Sequence, residues 1–88
     1  MKRLICNYFD DALIFIDYNK NIFGKPYLIV EMECDNTSDI LFYEDLEWLN
    51  NTLDKEWADE IINWAKYHKD EIEYNWKNKS NKMISERW

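Results

Sequence analysis

Trp57, Ile61, Trp64, Ala65, His68, Ile72 and Trp76 recur at spacings of three and four. That interval returns side chains to one side of an α-helix, so it predicts a helix from about Asp54 to Lys77 carrying an apolar, aromatic stripe. Such a stripe has to be covered, and a chain of 88 residues has room for a single hydrophobic core. The rest of the chain must therefore supply the cover. Thr52 or Asp54 is placed to cap the helix start, and Asp54, Glu56, Asp59 and Glu60 crowd the first turns, where the helix dipole favours acids. Lys69 with Glu73, and Glu73 with Lys77, fall one turn apart on the outer surface.

The cover reads as a sheet. Residues 3–9 and 12–18 are short β-branched and aromatic runs separated by Asp10-Asp11, which predicts a hairpin. A loop at 19–26 holds the only Gly and the only Pro, Gly24 and Pro26. In a third strand, 27–34, alternation sends Leu28, Val30, Met32 and Cys34 to the core face and Tyr27, Ile29, Glu31 and Glu33 to the other. A turn at 35–38 leads to a fourth strand at 39–46, antiparallel to the third because the connection is so short, and 47–51 leads out of the sheet. The expected fold class is α+β: a small antiparallel sheet of three to four strands packed against one long C-terminal helix. Residues 1–77 form that single domain. Residues 78–88 are polar except Met83, Ile84 and Trp88, and read as a helical extension or a mobile arm that orders on binding.

Five Trp, six Tyr and four Phe supply enough buried area for the core without disulfides. Cys6 and Cys34 match no metal-ligand or redox spacing and are expected to be buried free thiols. No run is long and apolar enough to span a bilayer and no leader pattern opens the chain, so a cytoplasmic protein is expected. Ten Asn, ten Ile and nine Lys point to AT-rich coding DNA, as in a bacterium or phage of low GC content.

Charge is unevenly spread. Residues 1–30 carry a net +1, residues 31–60 a net −10 with Lys55 as their only cation, and residues 61–88 a net +2. Such a field opposes direct contact with nucleic acid or an anionic membrane, and its complement is a basic protein surface. Carboxylates two apart on a strand lie roughly 6.7 Å from each other, so an acid-rich sheet edge running into an acidic helix start would present a ladder of charge like a phosphate backbone. The expected partner-binding residues are Glu31, Glu33, Asp35, Asp39, Glu44, Asp45, Glu47, Trp48, Asp59 and Glu60. Trp57 and Trp88 are further candidate anchors. Acidity of this kind also serves simply to keep an aromatic-rich protein in solution.

Little in the chain points to catalysis. The one histidine, His68, falls on the buried stripe and reads as a core-edge imidazole bonded to backbone or to a carboxylate. With one Gly there is no phosphate-binding loop, and zinc would need more His or Cys ligands than the helix offers. The acid pairs Glu31/Glu33, Glu44/Asp45 and Asp59/Glu60 lack the fixed oxygen-ligand spacing of a calcium loop. No catalytic residue, metal or cofactor is expected.

Trp64, His68, Glu71, Ile72, Asn75 and Trp76, in the run IINWAKYHKDEIEYNW, resemble the C-terminal helix of a small bacterial family, domain of unknown function 4160. That family's helix pattern is Trp, His, acidic-Glu-Leu, Asn, Trp at these intervals, and the resemblance covers roughly residues 12–77. It implies a place in gene pairs that look like toxin-antitoxin modules. The family's Pro-His-x-His segment is replaced here by Gly24-Lys25-Pro26-Tyr27-Leu28-Ile29-Val30, without either histidine. A scaffold kept with its polar site erased fits a binder.

The expected function is therefore that of a small acidic inhibitor, anti-CRISPR-like or antitoxin-like, docking as a DNA mimic on the basic groove of a nucleic-acid-handling enzyme, as a monomer or homodimer. The alternatives are a toxin-antitoxin component with hydrolase activity resting on His68 and nearby acids, and a structural subunit of a larger assembly.

Overall fold

Alternation of side chains decides which way each strand faces, and the computed structural model shows the outcome for residues 2–7, 9, 11–17, 23–33, 36–50, 52–80 and 82–84. Five strands, β1 (Lys2–Cys6), β2 (Ala12–Asp17), β3 (Leu28–Met32), β4 (Thr37–Phe42) and β5 (Glu47–Trp48), form one antiparallel sheet in chain order. Rows of directly paired residues cross it: Cys6, Ile14, Val30 and Asp39 in one, Ile16, Leu28, Leu41 and Trp48 in the next. These rows face the core, as expected for Leu28, Val30 and Met32. The opposite face carries a half-buried apolar row of Leu4, Phe15, Ile29 and Ile40.

Two helices, α1 (Lys55–Tyr67) and α2 (Lys69–Asn78), cover the core face. Ala58, Ile61, Trp64 and Ala65 of α1 and Ile72 of α2 are buried there with Ile5, Ile14, Val30 and Leu41. Phe9, in the β1–β2 connection, stands edge-on to Trp57 and Trp64, with ring centroids 6.0 and 6.2 Å away. At the far end of the helical pair, Trp76 meets the rings of Tyr27 and Tyr43 at 6.1 and 6.4 Å. Cys6 is buried, whereas Cys34 lies outside the described residues. The expected Glu73–Lys77 ion pair forms at 2.8 Å.

The α+β class holds, but the expected single long helix does not. It is interrupted at His68, whose backbone dihedrals (φ −101°, ψ 24°) lie in the bridge region next to the helical basin. The His68 N–H still reaches the Trp64 carbonyl at 2.9 Å, and the Ile72 N–H reaches the His68 carbonyl at 3.0 Å. The interruption therefore leaves the apolar spacing intact, which is why periodicity did not mark it.

Three further expectations are corrected. The fourth strand ends at Phe42, because Leu46 adopts a left-handed conformation (φ 58°) and turns the chain back, so that Glu47–Trp48 pairs with Phe42 and Leu41 as a fifth strand. Tyr27 precedes β3 and is buried against Phe23 and Trp76 instead of facing outwards. Within the described part of the tail, the chain is neither a helical extension nor an arm. Lys79 takes a left-handed conformation (φ 50°) that ends α2, and residues 82–84 return to the sheet, where the Ile84 N–H donates to the Ile5 carbonyl at 2.7 Å. Ile84 is buried there.

Candidate functional site

The acids expected to form one ladder are distributed by the antiparallel order of the strands. Glu33 follows the end of β3, while Glu44, Asp45 and Glu47 follow the end of β4. Because these strands run in opposite directions, the two groups lie at opposite ends of the sheet, roughly 20 Å apart for a six-residue strand. Glu33 shares its end with exposed Asp11, whose carbonyl accepts the Glu33 N–H at 2.9 Å. Glu31 stands on the outer face and is paired with Lys2, whose ammonium also lies 4.7 Å from the Phe15 ring centre. Asp35 lies outside the described residues. On α1, Asp59 is exposed with Lys55 at 3.8 Å one turn away, and Glu60 is half-buried. The continuous ladder is thus divided.

Asp39 and Trp48 leave the set of partner-facing residues. The register puts Asp39 opposite Val30, on the core face, where it is fully buried. Its carboxylate accepts from the Thr52 backbone N–H at 3.0 Å and from the Thr52 hydroxyl at 2.9 Å, fastening the segment that leads into α1. Thr52 is thereby committed to Asp39, and Asp54 occupies the N-cap position of α1. Trp48, opposite Leu41, is packed against the core with its indole Nε1 buried.

One compact gathering of charge is the turn between β4 and β5. Glu44, Asp45 and Glu47 are all exposed there. One cation stands among them: Lys25 Nζ is 2.6 Å from Asp45 Oδ2 and 4.4 Å from the centre of the Phe42 ring. The hydrogen bond to Asp45 and the charges of Asp45, Glu47 and Glu44 raise the Lys25 ammonium above its ordinary range. Phe23 stands edge-on to Phe42 at 5.7 Å and to Tyr27 at 4.8 Å, so the loop that carries Lys25 is pinned beside the turn. Three carboxylates around a single ammonium leave the turn strongly negative at neutral pH.

The helix motif has work inside the fold. Trp64 and Ile72 are core residues, and Trp76 lies between Tyr27 and Tyr43. His68 is 3% exposed, with its Nδ1 2.6 Å from Glu71 Oε1. Asn75 is 1% exposed: its Oδ1 accepts from the Ser80 hydroxyl at 2.7 Å and the Lys82 N–H at 2.9 Å, and its Nδ2 donates to the Lys82 carbonyl at 3.0 Å. This clasp folds the chain beyond α2 back along the helix and leaves a cleft of about 260 Å³ lined by Asp70, Glu71, Tyr74, Asn75, Lys82 and Ile84. Sequence reasoning missed the cleft because its two walls meet only through the fold-back. The one signal was a buried-stripe Asn followed closely by a Ser and an isolated Ile.

Among the described residues no group of three or more His, Cys, Asp or Glu side chains is arranged to hold a metal ion, and no helix is long and apolar enough to cross a membrane. Comparison with protein-family models finds no match, and neither curated proteins nor solved structures give one. Within the helical pair, Trp64, Ile72 and Trp76 pack against the sheet, and Asn75 clasps the tail.

Proposed function

We propose that this protein acts by binding, as a small acidic inhibitor that occupies the basic nucleic-acid groove of a nucleic-acid-handling enzyme. The observation that carries the reading is the exposed β4–β5 turn, where Glu44, Asp45 and Glu47 surround Lys25 alone. Surface carboxylates in such excess attract a basic groove over a distance set by ionic strength, and they compete there with phosphates for the same Lys and Arg side chains. The turn is held between two paired strands and braced by Phe23 and Phe42, so its backbone needs little further ordering on binding. With the ladder divided, the docking edge of this proposal is the turn itself, and Glu33 with Asp11 at the other end of the sheet stands outside it.

The test uses heparin-binding proteins of a bacterial lysate passed over the immobilised protein at low salt. Nucleic-acid-handling enzymes are expected to be retained, to be released by short duplex DNA, and to elute as salt rises. A Glu44→Lys, Glu47→Lys variant should retain them several-fold less. Equal retention by the variant, together with indifference to added DNA, overturns the proposal.

A further inference from the structure

The cleft between α2 and the returning tail combines three features on one small surface. Tyr67, Tyr74 and Met83 are three of the four exposed large apolar side chains among the described residues, 63%, 56% and 42% exposed. Tyr74 lines the cleft, Met83 lies between the lining residues Lys82 and Ile84, and Tyr67 precedes Glu71 by one turn with its ring against that of His68. Exposed tyrosines and a methionine around a recess are the side chains that dominate protein interfaces. The second feature is charge: two carboxylates, Asp70 and Glu71, line the recess against the one cation Lys82. The third is an apolar floor, supplied by buried Ile84.

We propose that this cleft receives an arginine side chain of the partner protein. Its volume of about 260 Å³ falls below the roughly 300–1,000 Å³ of pockets that enclose drug-sized ligands, and suits one long side chain. The methylene stem of arginine lies on Ile84, its guanidinium plane stacks on the Tyr74 ring, and its N–H groups reach the Asp70 and Glu71 carboxylates. The Asn75 amide takes no part, because Ser80 and Lys82 already engage both of its polar atoms. Glu71 keeps one oxygen for the guest while Oε1 bonds His68, so the receiving carboxylate is held in place by the core. The inference rests on the partner-binding reading above, but it concerns a different face, and it is tested without the partner.

The probe is N-acetyl-arginine amide, titrated into the full chain and followed by amide NMR. Saturable shifts confined to Asp70, Glu71, Tyr74, Lys82 and Ile84 are expected, with the uncharged isostere N-acetyl-citrulline amide leaving them unmoved and the lysine analogue binding more weakly. Asp70→Asn and Tyr74→Ala change exposed side chains, so both variants should keep the parent spectrum elsewhere while weakening arginine binding about threefold to tenfold. Shifts that do not saturate, equal shifts with citrulline, equal binding of the lysine analogue, or indifference to both substitutions each overturn the proposal. Charge reversal at Glu44 and Glu47, which tests the inhibitor reading, should leave this titration unchanged, so the two can fail separately.

Discussion

The side-chain amide of Asn75 pairs with the backbone of Lys82 in both directions, accepting its N–H at 2.9 Å and donating to its carbonyl at 3.0 Å. A buried Asn placed this way takes the role of a neighbouring strand's peptide group and replaces the regular hydrogen bonding that the chain loses where α2 ends. Asn75→Ala removes both bonds and that to Ser80, and withdraws the polar partner of part-buried backbone groups of Lys82. A loss of about 2–4 kcal/mol is expected in urea denaturation. Hydrogen exchange gives a local readout: the Ile84 amide, bonded to Ile5, should lose its protection before the amides of β2 and β3 do.

Asp39 and Thr52 form a second polar contact, between a buried carboxylate and an exposed residue at the edge of the core, and here coupling is the informative quantity. Thr52→Val keeps the shape of the side chain but withdraws the hydroxyl that bonds Asp39 Oδ2. About 1.5–3 kcal/mol should be lost, as for a hydrogen bond to a charged group. Replacing both residues, with Asp39→Leu added, removes the buried carboxylate together with its donor. The double variant is expected to be less destabilised than the two single losses combined, by about 1 kcal/mol or more in a thermodynamic cycle.

Lys79 closes α2 from the left-handed region, at φ 50°. A side chain there meets steric resistance that glycine escapes, and glycine is the residue that usually occupies this position after a helix. Its exposed side chain is free to change. Lys79→Gly should therefore stabilise the protein, by about 0.5–1 kcal/mol, read as a higher urea midpoint with unchanged slope.

Which of these features could be read from the sequence follows from how local their causes are. The stripe from Trp57 to Trp76 and the alternation of Leu28, Val30 and Met32 are set by neighbours in the chain, and both face the core as expected. The break at His68 has no Gly or Pro to announce it and preserves the spacing of the stripe. The reversal at Leu46 and the helix end at Lys79 use left-handed residues that are not glycine, so turn chemistry gave no warning of either. For the acids, composition shows the negative middle third but not its direction: Glu33 and the Glu44–Glu47 group are carried to opposite ends of the sheet by antiparallel strands. Asp39 was counted among them because a lone Asp beside Ile40 and Leu41 does not disclose that its face is the buried one. The cleft depended on residues 70–75 meeting residues 82–84, a contact created by the clasp and by no local pattern.

Stability should fall at alkaline pH through the aromatic contact at the end of α2. Burial first, and then the charges of Glu44 and Glu73, push the Tyr43 phenol well above its ordinary value of 10.0, and burial with nearby Asp17 raises Tyr27 from the same value. Both rings lie against Trp76. In the unfolded chain these phenols lose their protons near pH 10, whereas in the folded protein they keep them to higher pH, so above about pH 10 the folded state binds more protons than the unfolded one. The raised value therefore contributes nothing at neutral pH, and stability declines as pH rises past the unfolded value towards the folded one. Tyr43→Phe removes one of these two titrations without removing the ring. Relative to the variant, the parent protein should lose up to about 1.4 kcal/mol per pH unit above pH 10, measured as urea midpoints at pH 8, 10 and 11. A constant difference between the two proteins across that range would mean that the Tyr43 phenol ionises as readily in the folded state as in the unfolded chain.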